Sequence, residues 1–442
     1  QMKMYRGPRQ GDNLPIGTFR GGEHSPTIKG SWRVTAPAQA ALRPRQEPPM
    51  TGYTKTVLSP EETLKIAPEI GRVTTARIWV YRYTADTAPW TLSIATHAQP
   101  GSNMLSLGGF RIAPETRTRL PGWNSDHEAI DLAIGMDEKV FWSRLLKVGG
   151  PHVQRDFSRI VGGKCVMHPS PGSRVGEPRD TELLDFAISC FRDVESSHGF
   201  FLTTGQDLGH GVMSDGVTES LRYLNARYKG SVISDTGHPT AEGNYWMLAG
   251  MMKGAAIPPK GSVVGLIGAG NIGLHIIDYL LADGATPLVV EARADRRAAL
   301  EAHGVRCWAP EGKMEFLKQP MDALVLNAAG NTLDIATVAA CAANARLAVI
   351  CGSENLVMPD PAGEDVLRKA HKVFCPTECG GMMGYLTAAE EYLSHIARDE
   401  FRISAMLGAA RKLEEPGEKA TRHVIAGGFA QTMDQALREL YG

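Results

Sequence analysis

Apolar and polar positions alternate along Trp90-Thr91-Leu92-Ser93-Ile94-Ala95-Thr96, which predicts a strand. Thr74 to Arg82 reads the same way, and Leu105 to Arg111 is a third extended run carrying Gly108 and Gly109. The period then lengthens. Ala129, Leu132, Ala133, Met136, Val140 and Leu145 share one face of a helix predicted over His127 to Lys147. After a break at Val148-Gly149-Gly150-Pro151 and a polar segment to Arg159, Ile160 to Met167 predicts a strand carrying Lys164. A helix over Thr181 to Ser197 and a strand over Phe200 to Thr204 follow. The strand leads into Gly205-Gln206-Asp207-Leu208-Gly209, where an acid beside glycines reads either as chemistry or as an Asx-turn. His238 to Gly243 reads as a turn before a helix ending at Ala256.

Beyond it the pattern changes to short apolar strands alternating with helices. Val263 to Gly273 reads Val-Val-Gly-Leu-Ile-Gly-Ala-Gly-Asn-Ile-Gly; a helix over Asn271 to Ala282 and the strand Pro287-Leu288-Val289-Val290-Glu291 follow. This strand, glycine turn, helix and acid-ended strand make the first half of a dinucleotide-binding unit. Gly268 permits the tight turn, Gly270 admits a pyrophosphate to the backbone, and Gly273 lets helix and strand pack closely. The amides at Asn271 and Ile272 open the helix toward the phosphates. Glu291 is placed to accept a ribose 2′-hydroxyl, which favours NAD; Arg293 and Arg296 leave NADP open. Strands near Gly304 to Trp308, Ala323 to Leu326, Leu347 to Ile350 and Val373 to Pro376 extend the sheet. The loops at Asn327 and Asn355, at strand carboxyl ends, belong near the cofactor.

The expected fold class is therefore α/β: an N-terminal mixed-sheet substrate domain, a Rossmann-like NAD-binding domain and a cleft between them. The expected ranges are an arm over 1–70, a substrate domain over 71–242, a dinucleotide domain over 243–400 and C-terminal helices over 401–442 that return to the first domain.

Charge adds little: 47 Lys and Arg against 48 Asp and Glu give no reason to expect a nucleic-acid or membrane partner. Seven cysteines without Cys-x-x-Cys pairs suit a reduced, cytoplasmic protein. No apolar run reaches membrane-spanning length, and the start does not read as a signal peptide. No His/Cys spacing suggests a metal site. Residues 1–50 hold seven prolines and eight Arg or Lys against three acids, which reads as an extended arm or a mobile tail.

From about Thr74 onward the chain resembles the glutamate/leucine/phenylalanine/valine dehydrogenase family. Leu107-Gly108-Gly109-Phe110-Arg111, Leu132-Ala133-Ile134-Gly135-Met136-Asp137-Glu138-Lys139, Val161-Gly162-Gly163-Lys164 and Thr204-Gly205-Gln206-Asp207-Leu208-Gly209 match its early motifs, in order. Thr240-Ala241-Glu242-Gly243, Gly352-Ser353-Glu354-Asn355 and Gly380-Gly381 match its later ones. The resemblance implies hydride transfer between an amino acid and NAD through an imine. It makes Lys139 the carboxylate binder, Lys164 the base that activates water, and Asp207 the proton partner of the amine. Gly109 and Arg111 would help form the substrate floor, Thr240 would meet the nicotinamide carboxamide, and Asn327 and Asn355 would position the nicotinamide. It also implies a homo-oligomer.

Three departures point to an unusual substrate. Lys139 and Lys164 stand 25 positions apart, farther than in the family, with Val148 to Arg159 inserted between them. The insertion reshapes or covers the pocket, with His152, Arg155 and Arg159 toward substrate, or is a solvated loop. Val140 replaces a small polar amide. Glu378-Cys379-Gly380-Gly381 departs from Asn-Ala-Gly-Gly and puts the acid Glu378 at the substrate pocket. Two other readings stay open: an oxidoreductase acting on a preformed imine or other 2-substituted acid, and a non-catalytic NAD-binding regulatory or assembly protein.

Overall fold

The computed structural model describes residues 52–68, 77–169, 180–205, 208, 212–213 and 215–442. The first sheet begins earlier than expected. Strand β1 (Tyr53–Leu58) pairs antiparallel with β2 (Trp79–Ala85), and helix α1 (Pro60–Ile66) lies between them in sequence. The boundary at residue 70 is therefore corrected: Tyr53 to Ile66 belong to the substrate-side domain. Their signal was weak because β1 is an edge strand with no buried position. The rest of the expected arm, and Thr74 to Ala76 of the expected strand, lie outside the described residues.

The sheet continues through β3 (Thr91–Thr96), β6 (Ile160–His168), β4 (Leu105–Leu107) and β7 (Phe201–Thr203), with β5 (Phe110–Ile112) also paired to β6. It is antiparallel from β1 to β6 and parallel among β6, β4, β5 and β7, hence mixed. Helix α2 (Ser125–Leu145) covers one face with Ala129, Ile130, Leu132 and Ala133 against Val80, Ala95 and Val166. The opposite face carries Tyr81, Ile94, Phe110 and Cys165, which pack on Leu184, Phe186, Ala187 and Phe191 of helix α4 (Asp180–His198). The short helix α3 (Pro151–Asp156) falls between α2 and β6. Both sheet faces are covered, so polar Ser93 is buried too; its hydroxyl donates to Asp126 Oδ1 at 2.6 Å.

The second sheet runs β10 (Arg306–Trp308), β9 (Thr286–Val290), β8 (Val263–Ile267), β11 (Ala323–Leu326), β12 (Val349–Gly352), β13 (Val373–Phe374), all parallel. In chain order this is 3-2-1-4-5-6, the doubly wound dinucleotide arrangement, with its switch point between β8 and β11. Chain reversal there opens a crevice beyond the strand ends. Helix α6 (Asn271–Ala282) follows β8 directly.

The stretch from His238 to Gly243 is not a turn. It lies inside helix α5 (Gly237–Gly254). Pro239 is tolerated because it falls in the first turn, where its missing N–H has no helical acceptor to lose. The internal glycines serve packing: a Cβ on Gly243 would lie 2.5 Å from Met383 Cγ, and one on Gly250 would lie 2.0 Å from Glu414 O.

The C-terminal helices differ from expectation as well. Helix α8 (Glu414–Ala426) packs along α5. Helix α9 (Met433–Tyr441) reaches the first domain through the Arg438 guanidinium, 4.2 Å from the Phe141 ring centroid and 5.0 Å from that of Trp142. The fuller return is made by α7 (Met383–Ala397), which sequence places in the second domain. It packs on α3 and β7.

Candidate active site

Lys164 sits at an interruption in the first sheet. Strands β4 and β5 keep one register against β6, with Leu107 opposite Gly162 and Phe110 opposite Cys165. Between them Gly108 and Gly109 lie opposite Gly163 and Lys164, where strand pairing lapses. The glycines on both sides permit a close backbone approach: a Cβ on Gly108 would stand 1.3 Å from Gly163 O. Gly109 has φ +83°, the left-handed region, and its carbonyl accepts from Cys165 N at 3.0 Å. The glycine pairs thus bring two strands together beside Lys164.

Helix α2 delivers Lys139 to the same place. Asp137 Oδ1, two residues earlier, accepts from Gly162 N at 2.9 Å and fixes the helix to β6. Both lysines are buried. Lys139 Nζ donates to Asn355 Oδ1 at 2.6 Å, a bond from the substrate-side domain to the loop after β12. Burial holds the Lys139 ammonium below its usual range; Glu378 opposes this and Arg111 adds to it. Lys164 is lowered further, by burial first and then by the positive charges of Arg111 and Lys139. Burial raises the Glu378 carboxyl, with Lys139 pulling the other way. Arg111, Lys139, Lys164, Glu378 and Asn355 therefore form one interacting group. Asp207 lies outside the described residues.

Arg111 is not a lone cation. Its Nη1 is 3.0 Å from Glu128 Oε1, and Arg117 Nε is 3.3 Å from Glu128 Oε2. Burial would raise Glu128, but Trp123, Arg117 and Arg111 together hold it below the usual carboxylate range.

Between the two sheets opens a cleft of about 530 Å³, and its walls include Arg111, Arg117, Ile272, Asn327, Ser353 and Asn355. Gly268 has φ +93°, and a Cβ there would meet Asn327 O at 2.6 Å. A Cβ on Gly273 would meet Gly268 O at 2.3 Å, whereas one on Gly270 would meet nothing within 4 Å. The turn is thus packed behind and open in front. No side chain caps the helix that starts at Asn271. Asn327 Oδ1 accepts from Ser353 N at 3.1 Å and Oγ at 2.6 Å, while its Nδ2 is buried without a partner among the described residues. An open glycine turn, an uncapped helix start and an orphaned amide donor fit a bound dinucleotide.

Two cofactor-side residues sit differently. Glu291 is buried; its Oε2 accepts from Ala269 N at 2.9 Å, and its Oε1 accepts from Arg293 N at 2.8 Å. Arg296 Nη1 stands 3.7 Å from Oε2. Thr240 donates to Thr236 O at 2.6 Å and packs against Gly384, and it does not line the cleft.

The inserted segment neither covers the cleft nor stays solvated along its length. Helix α3 has Gly150 at its N-cap and so no side-chain cap of its own. Glu390 of α7 supplies one, accepting from His152 N at 3.0 and 3.1 Å and from Val153 N at 2.9 Å. The His152 ring bridges Glu390 Oε1 and Asp399 Oδ2, each at 2.8 Å. The insertion docks the first domain onto α7, and His152, Arg155 and Arg159 lie away from the cleft walls.

No protein-family model matches the chain. Over 235 residues it is 25% identical to a valine dehydrogenase of Streptomyces albus, covering 52% of this chain and 61% of that protein. Its match thus spans less than two thirds of the curated relative's length. The chain is thus distantly similar in sequence to amino-acid dehydrogenases over about half its length. Solved amino-acid dehydrogenases share its fold. An L-tryptophan dehydrogenase from Nostoc punctiforme superposes with TM-score 0.54 at 16% identity, covering 82% of this chain and 93% of that one. A hetero-hexameric glutamate dehydrogenase from Thermus thermophilus, leucine bound, gives 0.55 at 13% identity and 88% of each chain. Both carry the argument for fold.

Three further residues shape the site although the sequence did not single them out. Glu354 is buried and accepts from Ala328 N at 3.0 Å, Thr332 N at 2.9 Å and Thr332 Oγ1 at 2.7 Å, tying the Asn327 loop to the Asn355 loop. Tyr385 donates to Lys139 O at 3.1 Å and hydrogen-bonds Ser143, bracing α2 where Lys139 leaves it. Glu390 is the third. An acid inside Gly-Ser-Glu-Asn was a usable signal for Glu354; Tyr385 and Glu390 carried none.

Proposed function

We propose that the protein catalyses the oxidative deamination of an L-amino acid with NAD, or the reverse reductive amination of a 2-oxo acid. The observation that carries this reading is the Lys139–Asn355 bond across the cleft, with Lys164 buried in the field of Lys139. Lys139 meets the substrate carboxylate as a point charge. Lys164, its ammonium destabilised, takes a proton from the water that adds to the imine carbon. Asp207 exchanges a proton with the amine as ammonia leaves. NAD, when bound on the Gly268–Gly273 turn, supplies the hydride acceptor. Gly109 and Arg111 form the floor, and Asn327 and Asn355 hold the nicotinamide side. Glu291, an acid just after β9, supports NAD over NADP, since a carboxylate there opposes a 2′-phosphate.

Glu378 beside Lys139 supports an unusual substrate, one whose side chain offers a hydrogen-bond donor or a cation to the acid. The family resemblance supports a homo-oligomer, and seven unpaired cysteines support a reducing, cytoplasmic setting.

The test is a broad amino-acid screen with NAD and with NADP, following reduced cofactor, beside Lys164→Ala. Turnover on at least one amino acid, absent in the variant, is expected. Equal turnover by both proteins would remove Lys164 as the base. In the reductive direction a strict ammonia requirement is expected; its absence would favour a preformed imine as substrate.

A further inference from the structure

Helix α3 borders a second cavity of about 580 Å³ that shares no lining residue with the cleft. Leu105 of β4, Phe201 of β7 and Ile396 of α7 supply apolar walls. Arg155, Arg159 and Lys229 line it as well, against the single acid Asp156. Arg159 is partly engaged, donating to Asn103 O at 3.2 Å and standing 3.9 Å from Asp156 Oδ1. The Lys229 ammonium lies 5.8 Å from the Phe201 ring centroid. Arg155 has no hydrogen-bond or ion-pair partner among the described residues. The volume falls in the range of small-molecule sites, roughly 300–1,000 Å³.

We propose that this cavity binds an amphipathic organic anion: a carboxylate carried on an aromatic or branched apolar body. The excess of cations at an apolar wall selects this class. An ammonium ligand is repelled by Arg155 and Lys229, and a bare inorganic anion leaves the apolar wall wet. The inserted segment, which sequence left between a pocket cover and a loop, supplies two of the three cations. The site is also tied to the cleft. Strand β4 runs on to Gly108 beside Lys164, and α7 begins two residues after Gly381.

The test is isothermal titration of the full chain, without cofactor, with 3-phenylpropionate. The neutral 3-phenylpropanamide and the cationic 3-phenylpropylammonium serve as analogues. The carboxylate is expected to bind, and both analogues at least tenfold more weakly. Arg155→Glu/Lys229→Glu is expected to weaken the carboxylate tenfold or more. Ile396→Glu, a change at an exposed wall position, is expected to do the same. Lys139→Met, which removes the ammonium bonded to Asn355 of the cleft wall, is expected to leave the affinity unchanged. No binding, equal binding of the amide, or retention in both cavity variants would overturn the proposal. Loss in Lys139→Met would also overturn it, by placing the probe in the cleft. The titration involves no turnover, so its failure is distinguishable from failure of the deamination reading.

Discussion

A lysine ammonium taken out of water beside two other cations loses its proton more readily than one in solvent. Lys164 is in that position through burial, Arg111 and Lys139. Replacing it with alanine is expected to lower kcat/KM by about 10²–10⁴-fold, the usual worth of a positioned base, with thermal stability retained. Its neutral form grows as pH rises through its own pKa, so kcat/KM should rise with pH well below the ordinary lysine range. Lys139→Met removes a positive neighbour that disfavours the protonated form. The Lys164 pKa should then climb, and the rising limb of the kcat/KM profile should move to higher pH. A limb that stayed in place would mean that the two lysines do not interact. On the cofactor side, Glu291→Ser leaves Arg293 and Arg296 to meet a 2′-phosphate. The ratio of kcat/KM with NAD to that with NADP is expected to fall at least about tenfold, a change of about 1.4 kcal/mol; an unchanged ratio would remove Glu291 as the discriminator. The glycines of the turn were legible in sequence because Gly268 and Gly273 answer to local sterics. Tyr385 was not, because its partner Lys139 is 246 positions away and a tyrosine on a helix has many ordinary uses.

At the scale of elements, the junction of α3 with α7 rests on His152. Its imidazolium is favoured by the Glu390 hydrogen bond first; burial opposes, Asp399 helps, and Arg155 opposes. A raised native pKa means that the protonated form stabilises the fold. That contribution is complete below the ordinary histidine value of about 6.5 and is lost as pH climbs through the higher native value. Thermal unfolding of His152→Gln against the parent should therefore show the largest deficit in Tm at acid pH, with the gap narrowing as pH rises. A deficit that widened with pH would reverse the assignment. The sequence showed that something was inserted here. It did not show the docking, because the helix cap comes from Glu390, 238 positions from His152. Likewise β1 escaped notice because an edge strand buries no alternating face, while β8, β9, β11 and β12, apolar and buried, were plain.

Across the whole molecule, α5 and α8 cross at glycines, and this contact joins the C-terminal helices to the rest. A Cβ at Gly250 would lie 2.0 Å from the backbone oxygen of Glu414, which has no rotamer with which to yield. Gly250→Ala is expected to destabilise by about 1–3 kcal/mol, the range for overpacking. Urea unfolding should show a lower midpoint with an unchanged slope; an unchanged midpoint would mean that the crossing is looser than the distances indicate.

The bond from Tyr385 to the carbonyl of Lys139 also bears on how the protein is made. Synthesis delivers both lysines long before the helix that braces one of them. A ribosome that stalls before Met383 releases a chain with the glycine turn and both lysines but without Tyr385 or Glu390. Such a fragment holds the chemical groups without their support, so premature release should yield an inert product.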